Sequence, residues 1–595
     1  MKKIFLLFLL LFTVINAQKK WSDPSISVKD LKAHLFYLAS DDMKGRFSGS
    51  PEERIAADYI KNQFESYGLE PLFDGNYFQD FPFIERLELT SNNSAEILIN
   101  DEKLTLKIRD DFITVPFSGK AELKARLVFA GYGISSENLE YDDYESIDVK
   151  DKIVIILRDH PEHDSAHSDF DRYASLRSKA STARDKGAAG IIFVNGYFPS
   201  DDDNLVELRY DGAPAINDFP VIQVKRDIIE KIFKAHNLDF KEIQKKIDST
   251  KHGNPVEFQN CFAEIHTEVK EIVSNARNVG GLLKCNSGSD EYIVVGAHFD
   301  HLGIDQLKSS SMYRGGDSQI HNGADDNASG TSAMLELAEA LAASRSELKR
   351  NIIFLAFSGE ELGILGSTYF TNNSPVSLDK IIAMVNMDMV GRLNEENSLT
   401  VIGAGTSSAW KPLLNEKNKY DLKLTFDDAG TGGSDHQAFS NKNIPVLFFF
   451  TGTHSDYHKP SDDPDKINYE GEKKIASYIL DVIKGIDRLE EKPDYVKVEA
   501  PTNRRIGKSR VYVGTVPEFG YNGEGYKLSG VTDGSPAAKA GLMSGDIIIR
   551  FGDKKVGNIY DFMHAMAEYK PGDKVEVAVL RDGKEMKFTI DLTAK

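Results

Sequence analysis

Two cysteines in 595 residues exclude both a thiolate metal cluster and a disulfide-built scaffold. Basic residues are in deficit, 72 Lys and Arg against 92 Asp and Glu, for a formal charge of −20. So acidic a chain disfavours nucleic acid or an anionic membrane as partner. Long apolar runs are also missing. The one at the start, Met1–Ala17, has Lys2 and Lys3, an apolar stretch from Ile4 to Ile15 and a small residue at Ala17. It is too short to span a bilayer and reads as a secretory signal, so the expectation is an exported protein with no transmembrane span. The exported compartment would permit a Cys261–Cys285 bond, because the strand-like stretches Val256–Val273 and Ala276–Leu283 read as a hairpin whose ends bring the two close. Two separately buried thiols fit the sequence equally well.

Length alone suggests roughly three to five domains. Val28–Leu72 has helical periodicity, with Leu31, Leu35 and Leu38 on one face and Ala56, Tyr59, Ile60 and Phe64 on another. The Gly- and Asp-rich stretch Asp41–Pro51 between them reads as an interhelical loop. From about Phe112 short β-like runs dominate, and the segment holding His160, His163 and His167 reads as a solvated loop because the spacing fits no stable face. From Val256 to about Glu490 the texture is α/β. Ile293–Ala297, Asn351–Phe357, Ile381–Val385 and Val446–Phe450 are apolar enough for strands buried on both faces of a parallel sheet. Asn327–Ser344 and Glu472–Leu489 read as amphipathic helices, Glu490–Ser509 as a linker, and Arg510–Lys595 as a last β-rich unit.

The reactive side chains collect where those strands end. His298, Asp300 and His301 follow the first, Glu360 and Glu361 the second, Asp388 the third, and His454 to His458 the fourth; Asp325 and Asp326 precede the helix. Open α/β sheets bind ligands at the carboxyl ends of their strands. Imidazole and carboxylate without thiolate suit zinc or a similar divalent ion. Adjacent Glu360 and Glu361 would repel unless a cation or a proton shared the site. Two ions about 3.5–4 Å apart need a bridging carboxylate and two further ligands each, which leaves one glutamate to act as base. Each feature alone has a duller reading, Asp-Asp before a helix being an ordinary N-cap, but the set concentrates at one sheet edge.

Gly296–Asp300, Asn322–Gly330, Ser358–Gly363, Asn386–Asp388 and Tyr457-His458 together resemble, in order, the motifs of metallopeptidase family 28. The resemblance implies a mixed-sheet α/β/α zinc exopeptidase domain of the aminopeptidase and glutamate carboxypeptidase type, with two zinc ions per chain. It makes Asp326 the bridging ligand, His298 and Asp388 the rest of one site, and Glu361 and His458 the rest of the other. It makes Glu360 the general base, Tyr457 a donor to the oxyanion and Asp300 the orienter of His298, with Asp462 a candidate for the same service to His458. It also implies a cis peptide after Asp326, and places Ser434, Asp435 and His436 near the substrate pocket. The stretch Asp300–Asp326 is longer than in compact members, which puts the pocket's shape in question.

Lys186–Phe193 resembles a protease-associated domain, and Gly534–Leu542 with Gly545–Ile548 resembles a PDZ domain. The PDZ resemblance implies capture of peptide C-termini by strand addition, with Gly525–Gly530 as the carboxylate loop. The expected organisation is a signal peptide over 1–17, peptidase over 18–111 and 251–490, an inserted β-rich protease-associated domain over 112–250, a linker over 491–509 and a β-rich PDZ domain over 510–595. The expected reaction is removal of N-terminal residues from peptides with a free N-terminus. Three alternatives stand beside it: a carboxypeptidase or dipeptidase, which needs a cation such as Arg314 or Arg392 for the substrate carboxylate; a one-zinc glutaminyl cyclase; and a non-catalytic binding scaffold.

Overall fold

The structure, a computed structural model, describes residues 26–498 and 511–594, apart from 101, 164, 166, 167, 212, 305, 308, 309, 314, 316, 518–524, 532, 533, 544, 557–561, 563, 564, 567, 568 and 582. The signal-like segment, His167 and Arg314 therefore lie outside the described residues. Among those described, no helix is long and apolar enough to cross a membrane. The chain divides into two compact units. One holds the described residues up to Gln79, Asn278–Thr451 and His458–Lys497; the other holds Asp80–Arg277, Gly452–Tyr457 and the described residues from Val511 on, with Val498.

The first unit is built on a mixed sheet. Its four central strands, Asn351–Phe357, Tyr292–His298, Ile381–Met387 and Val446–Phe450, are adjacent in that order and mutually parallel. Every residue of Asn351–Phe357, Ile381–Met387 and Val446–Phe450 is buried, as continuous apolar runs demand when helices cover both faces. Antiparallel neighbours close both sides, Val269–Leu283 against Asn351–Phe357 and Ser398–Ile402 against Val446–Phe450. In-register pairs such as His298 with Phe357 and Gly296 with Asn386 bring the carboxyl ends of the strands level. Helix Gly330–Ala343 is buried on nearly all sides, Glu336 included, so its apolar stripe is wider than the amphipathic pattern suggested.

The expected linker begins late. Asp494 Oδ1 accepts bonds from Ser407 Oγ (2.7 Å), Ser408 N (3.0 Å) and Ser408 Oγ (2.9 Å). Tyr495 donates its hydroxyl to Ser440 O at 3.0 Å, and Val496 N donates to Thr406 O at 2.8 Å. A chain ending at Pro493 should therefore unfold at lower urea than one ending at Lys497, by about 1–3 kcal/mol for the partners left unpaired. Coincident urea midpoints would show that these bonds contribute nothing.

In the second unit, an eight-stranded sheet runs Glu102–Leu106, Ser94–Ile99, Val256–Thr267, Ala121–Phe129, Ile153–Leu157, Gly190–Val194, Val221–Val224 and Phe112–Thr114. It is wider than 112–250, because Ser94–Leu106 and Val256–Thr267 pair into it. The expected hairpin of Val256–Val273 with Ala276–Leu283 does not form. The break falls at Glu268, and Val256–Thr267 and Val269–Leu283 join different sheets. A two-residue period reads alike whichever sheet receives the strand. Cys261 and Cys285 are both free thiols, and burial pushes Cys261 up to about 12. His160 and His163 are not solvated: His160 Nε2 lies 2.9 Å from Asp171 Oδ1 and His163 Nε2 3.1 Å from Asp248 Oδ2.

Residues from Thr515 onward form a six-stranded sheet around a core of their own, with Leu528, Ile548, Phe551, Val577 and Val579 buried. A short helix, Pro536–Ala540, is capped by Ser535 and stopped by Gly541 at φ +91°. The buried Asp546 receives Arg581 through both Nε (2.6 Å) and Nη2 (2.8 Å).

Candidate metal centre

All five expected ligands converge at the carboxyl ends of the central strands. His298 ends one strand, Asp388 follows Met387 of another, and Glu360 and Glu361 follow the Ser358-Gly359 break after a third. Asp326 lies in an irregular helical turn, Ala324–Ser329, that precedes the helix Gly330–Ala343, and its peptide bond to Asn327 is cis, as the motif resemblance implied. Main-chain amides of Asp325 (2.9 Å) and Asp326 (3.1 Å) donate to Asp462 Oδ2, and Asn327 Nδ2 donates to Met387 O at 3.0 Å. Asp462 thus holds the turn that carries Asp326. His458, at φ +53°, is gripped by the long loop: Met312 N donates to His458 O (2.9 Å), and Ser310 O lies 3.0 Å from His458 Nδ1. That second contact leaves Nε2 facing the carboxylates.

The distances define two sets sharing one carboxylate. His298 Nε2 stands 3.4 Å from Asp326 Oδ1 and 3.4 Å from Asp388 Oδ1; His458 Nε2 stands 3.2 Å from Asp326 Oδ2 and 3.3 Å from Glu361 Oε2. Two ligand atoms held about 2.0–2.2 Å from one tetrahedral ion sit roughly 3.3 Å apart, so both sets fit zinc. His298 Nε2 and Asp388 Oδ1 are buried and make no hydrogen bond, a costly arrangement that a cation would relieve. The sequence drew attention to His301 without giving it a role; its Nδ1 lies 2.7 Å from Glu361 Oε1.

Electrostatics separate the neighbouring glutamates. Burial, reinforced by Glu361, Asp388 and Asp435 and opposed by His298, holds Glu360 well above the usual carboxylate range. Burial and Asp326 push Glu361 the same way, but His458 and His301 overcome them and bring it down to about 2. Carboxylates whose affinities for protons are driven apart suit different tasks, one handling a proton and the other staying ionised. Burial opposes charge on His298 and His458 too, yet the surrounding carboxylates hold His298 well above ordinary imidazole and His458 up to about 11.

Asp300 does more than orient His298. Its carbonyl lies 3.2 Å from His298 Nδ1, closer than its carboxylate at 3.6 Å. The carboxylate takes Ser48 Oγ at 2.8 Å and Glu360 N at 3.2 Å, tying the main chain at Glu360 to the segment that follows His298. Ser48 and Arg46 belong to the stretch that read as an ordinary loop. Arg46 is fully buried and donates to four carbonyls, Phe299 O (2.7 Å), Asn322 O (2.7 Å), Gly323 O (3.1 Å) and Leu38 O. Gly45, at φ +72°, lets this chain lie against the site loops, since a Cβ there would stand 2.5 Å from His321 O.

Ser434, Asp435 and His436 are all buried: Asn386 Nδ2 donates to Ser434 Oγ at 2.8 Å, and the His436 ring stacks on Phe448 at 4.7 Å. Burial raises Asp435 to about 7 and lowers His436 to about 3, which leaves the imidazole neutral. Tyr457 sits half-buried in the turn His454–Tyr457, its amide donating to His454 O at 3.1 Å. Arg392, a candidate for a substrate carboxylate, donates to Asp462 Oδ1 at 3.3 Å.

Fold and site thus define an α/β protein whose central strands bring imidazole and carboxylate groups together in the manner of a metal centre. Residues 278–483 match the model of Peptidase family M28, 123–232 that of the PA domain and 508–592 that of the PDZ domain. The 278–483 segment belongs to peptidase family M28, and the chain carries PA and PDZ domains beside it. The chain is 24% identical over 464 residues to "Aminopeptidase YwaD" of Bacillus subtilis (strain 168), covering 76% of this chain and 83% of that protein. It is 33% identical over 142 residues to "Leucine aminopeptidase 2" of Trichophyton rubrum, covering 22% of this chain and 28% of that one. The solved structure "BSAP, a zinc aminopeptidase from Bacillus subtilis" is similar over 80% of this chain and 99% of its own, at 21% identity and a TM-score of 0.45.

Proposed function

We propose that this protein is an exported di-zinc aminopeptidase that removes N-terminal residues from peptides. One observation carries the reading: two ligand sets share Asp326, and Glu360 stands beside them, 4.0 Å from His298 Nε2, without belonging to either. His298, Asp326 and Asp388 would hold one zinc, and Asp326, Glu361 and His458 the other. Bound zinc supplies Lewis acidity, making water acidic near neutral pH and polarising the scissile carbonyl. Glu360 takes the proton of the attacking water and returns it to the leaving amine. Asp300 positions Glu360 through its amide, and Tyr457 is assigned as a donor to the oxyanion of the tetrahedral intermediate. Removal of N-terminal residues is favoured over the carboxypeptidase reading by the names of the relatives, aminopeptidases. Export rests on the segment Met1–Ala17. The PDZ domain is assigned the capture of C-terminal peptides.

Purified protein should hold two zinc ions per chain and lose activity to chelators. It should cleave aminoacyl p-nitroanilides with a free amine and leave their N-acetylated forms intact. Elemental analysis of active protein with one metal or none would end the two-metal assignment, and cleavage of the acetylated forms would end the aminopeptidase assignment.

A further inference from the structure

We propose that His301 is a positioning residue of the metal centre: it donates Nδ1–H to Oε1 of Glu361 and so holds Oε2 toward the cation shared with Asp326 and His458. The inference rests on the two-metal reading and concerns a residue outside the ligand set that reading uses.

Distances separate a ligand from a residue that bonds a ligand. The four contacts that define the two sets fall at 3.2–3.4 Å, the spacing of atoms sharing one tetrahedral ion. His301 Nδ1 breaks that pattern, at 2.7 Å from Glu361 Oε1 and 4.0 Å from Asp326 Oδ2. The shorter distance is that of a charge-assisted hydrogen bond and the longer is no bond. The two imidazoles also address different atoms, His458 facing Oε2 and His301 facing Oε1. An ionised carboxylate only accepts, so the proton belongs on His301 Nδ1, and that nitrogen then has no lone pair for a metal.

The fold holds the ring in this pose. His301 is fully buried, its amide donates to Arg46 O at 3.3 Å, and its ring lies edge-on to that of His458 with centroids 5.8 Å apart. A Cβ on Gly323 would stand 2.5 Å from His301 Cγ and 2.6 Å from Cδ2, so the ring fits only against a glycine. Glu361 lies next to Glu360 in a stretch that leaves its strand through Gly359 at φ +73°. Without a fixed partner for Oε1, either oxygen could turn to the metal and the carboxylate could swing toward the base. His301 removes that freedom. Outer partners of this kind typically set metal affinity by 10–100-fold.

The test uses full-length protein and zinc titrated against a chromophoric chelator, for the wild type, His301→Phe and His301→Asn. Phenylalanine keeps the ring and loses the donor; asparagine places an amide nitrogen about where Nδ1 stood. The expected result is two tight zincs in the wild type, and in His301→Phe one tight and one weakened about 10–100-fold. His301→Asn should recover most of the loss. X-ray absorption of the zinc-loaded wild type and His301→Asn should give the same number of nitrogen ligands. Three results would overturn the proposal: two zincs held by His301→Phe as tightly as by wild type, no recovery in His301→Asn, or a nitrogen ligand lost in His301→Asn. Should His301→Phe not fold, His301→Leu replaces it with the same expectation. A wild-type protein holding fewer than two zincs would instead overturn the two-metal reading, so the two failures are distinct.

Discussion

Glu360→Gln is expected to keep both zinc ions while kcat falls about 10²–10⁴-fold, the usual range for losing a general acid–base. The substitution is isosteric and leaves the main-chain bond from Glu360 N to Asp300 Oδ1 in place. What goes is the capacity to accept a proton. Glu361→Gln should behave otherwise. Glu361 faces His458 Nε2 at 3.3 Å and stays ionised down to about pH 2, so neutralising it weakens a ligand and zinc content falls. The contrast between the two variants is decisive, because the residues are adjacent and the substitutions identical, and a general disturbance would affect both alike. Zinc per chain by elemental analysis, beside kcat on a free aminoacyl p-nitroanilide, separates them. Near-normal kcat in Glu360→Gln would remove it from the proton's path, and full zinc in Glu361→Gln would remove Glu361 from the ligands.

The place of these two glutamates is legible in the amino-acid sequence because apolar runs mark strands and strand ends mark the site, while the division of roles between them is what the motif resemblance implies. Asn351–Phe357 and Val446–Phe450 have the bounds that their composition predicts. Once four such strands lie parallel, their next residues must meet at one edge. Alternating strands carry less information. Val256–Thr267 has buried Cys261, Ala263 and Ile265 on one face, a pattern that specifies a half-buried strand and not its neighbours. It joins the inserted sheet and takes the domain boundary with it. Conformation at the ligands themselves is not encoded so openly. The grip of Ser310 and Met312 on His458 is made through main-chain groups, which leave no trace in side-chain identity.

Arg46 is the site-supporting residue least conspicuous in the sequence, and Arg46→Met is expected to destabilise the first unit by on the order of 4 kcal/mol. In a loop rich in Gly and Asp an arginine reads as solvated surface. Here the guanidinium is fully buried and serves carbonyls at Leu38, Phe299, Asn322 and Gly323, which come from a helix end, the His298–His301 segment and the approach to Asp326. Burial lowers it to about 10, against the pull of Asp300, Asp326, Asp462 and Glu361, so it remains charged at neutral pH. Methionine matches the volume but donates nothing. Each buried carbonyl left unpaired costs about 1–3 kcal/mol, and some relaxation is expected, which sets the figure below the sum of four. The readout is urea unfolding followed by Trp410, which is fully buried in the same unit, in a Trp21→Phe background where it is the last tryptophan. Because Phe299 and Gly323 lie close in sequence to ligands, the zinc content of Arg46→Met should fall as well, and added zinc should recover part of the lost stability by binding the folded state. Arg46→Lys, with a charge but no fork of donors, should fall between the two. An Arg46→Met protein with an unchanged urea midpoint would show that the four bonds are not what holds this segment to the site.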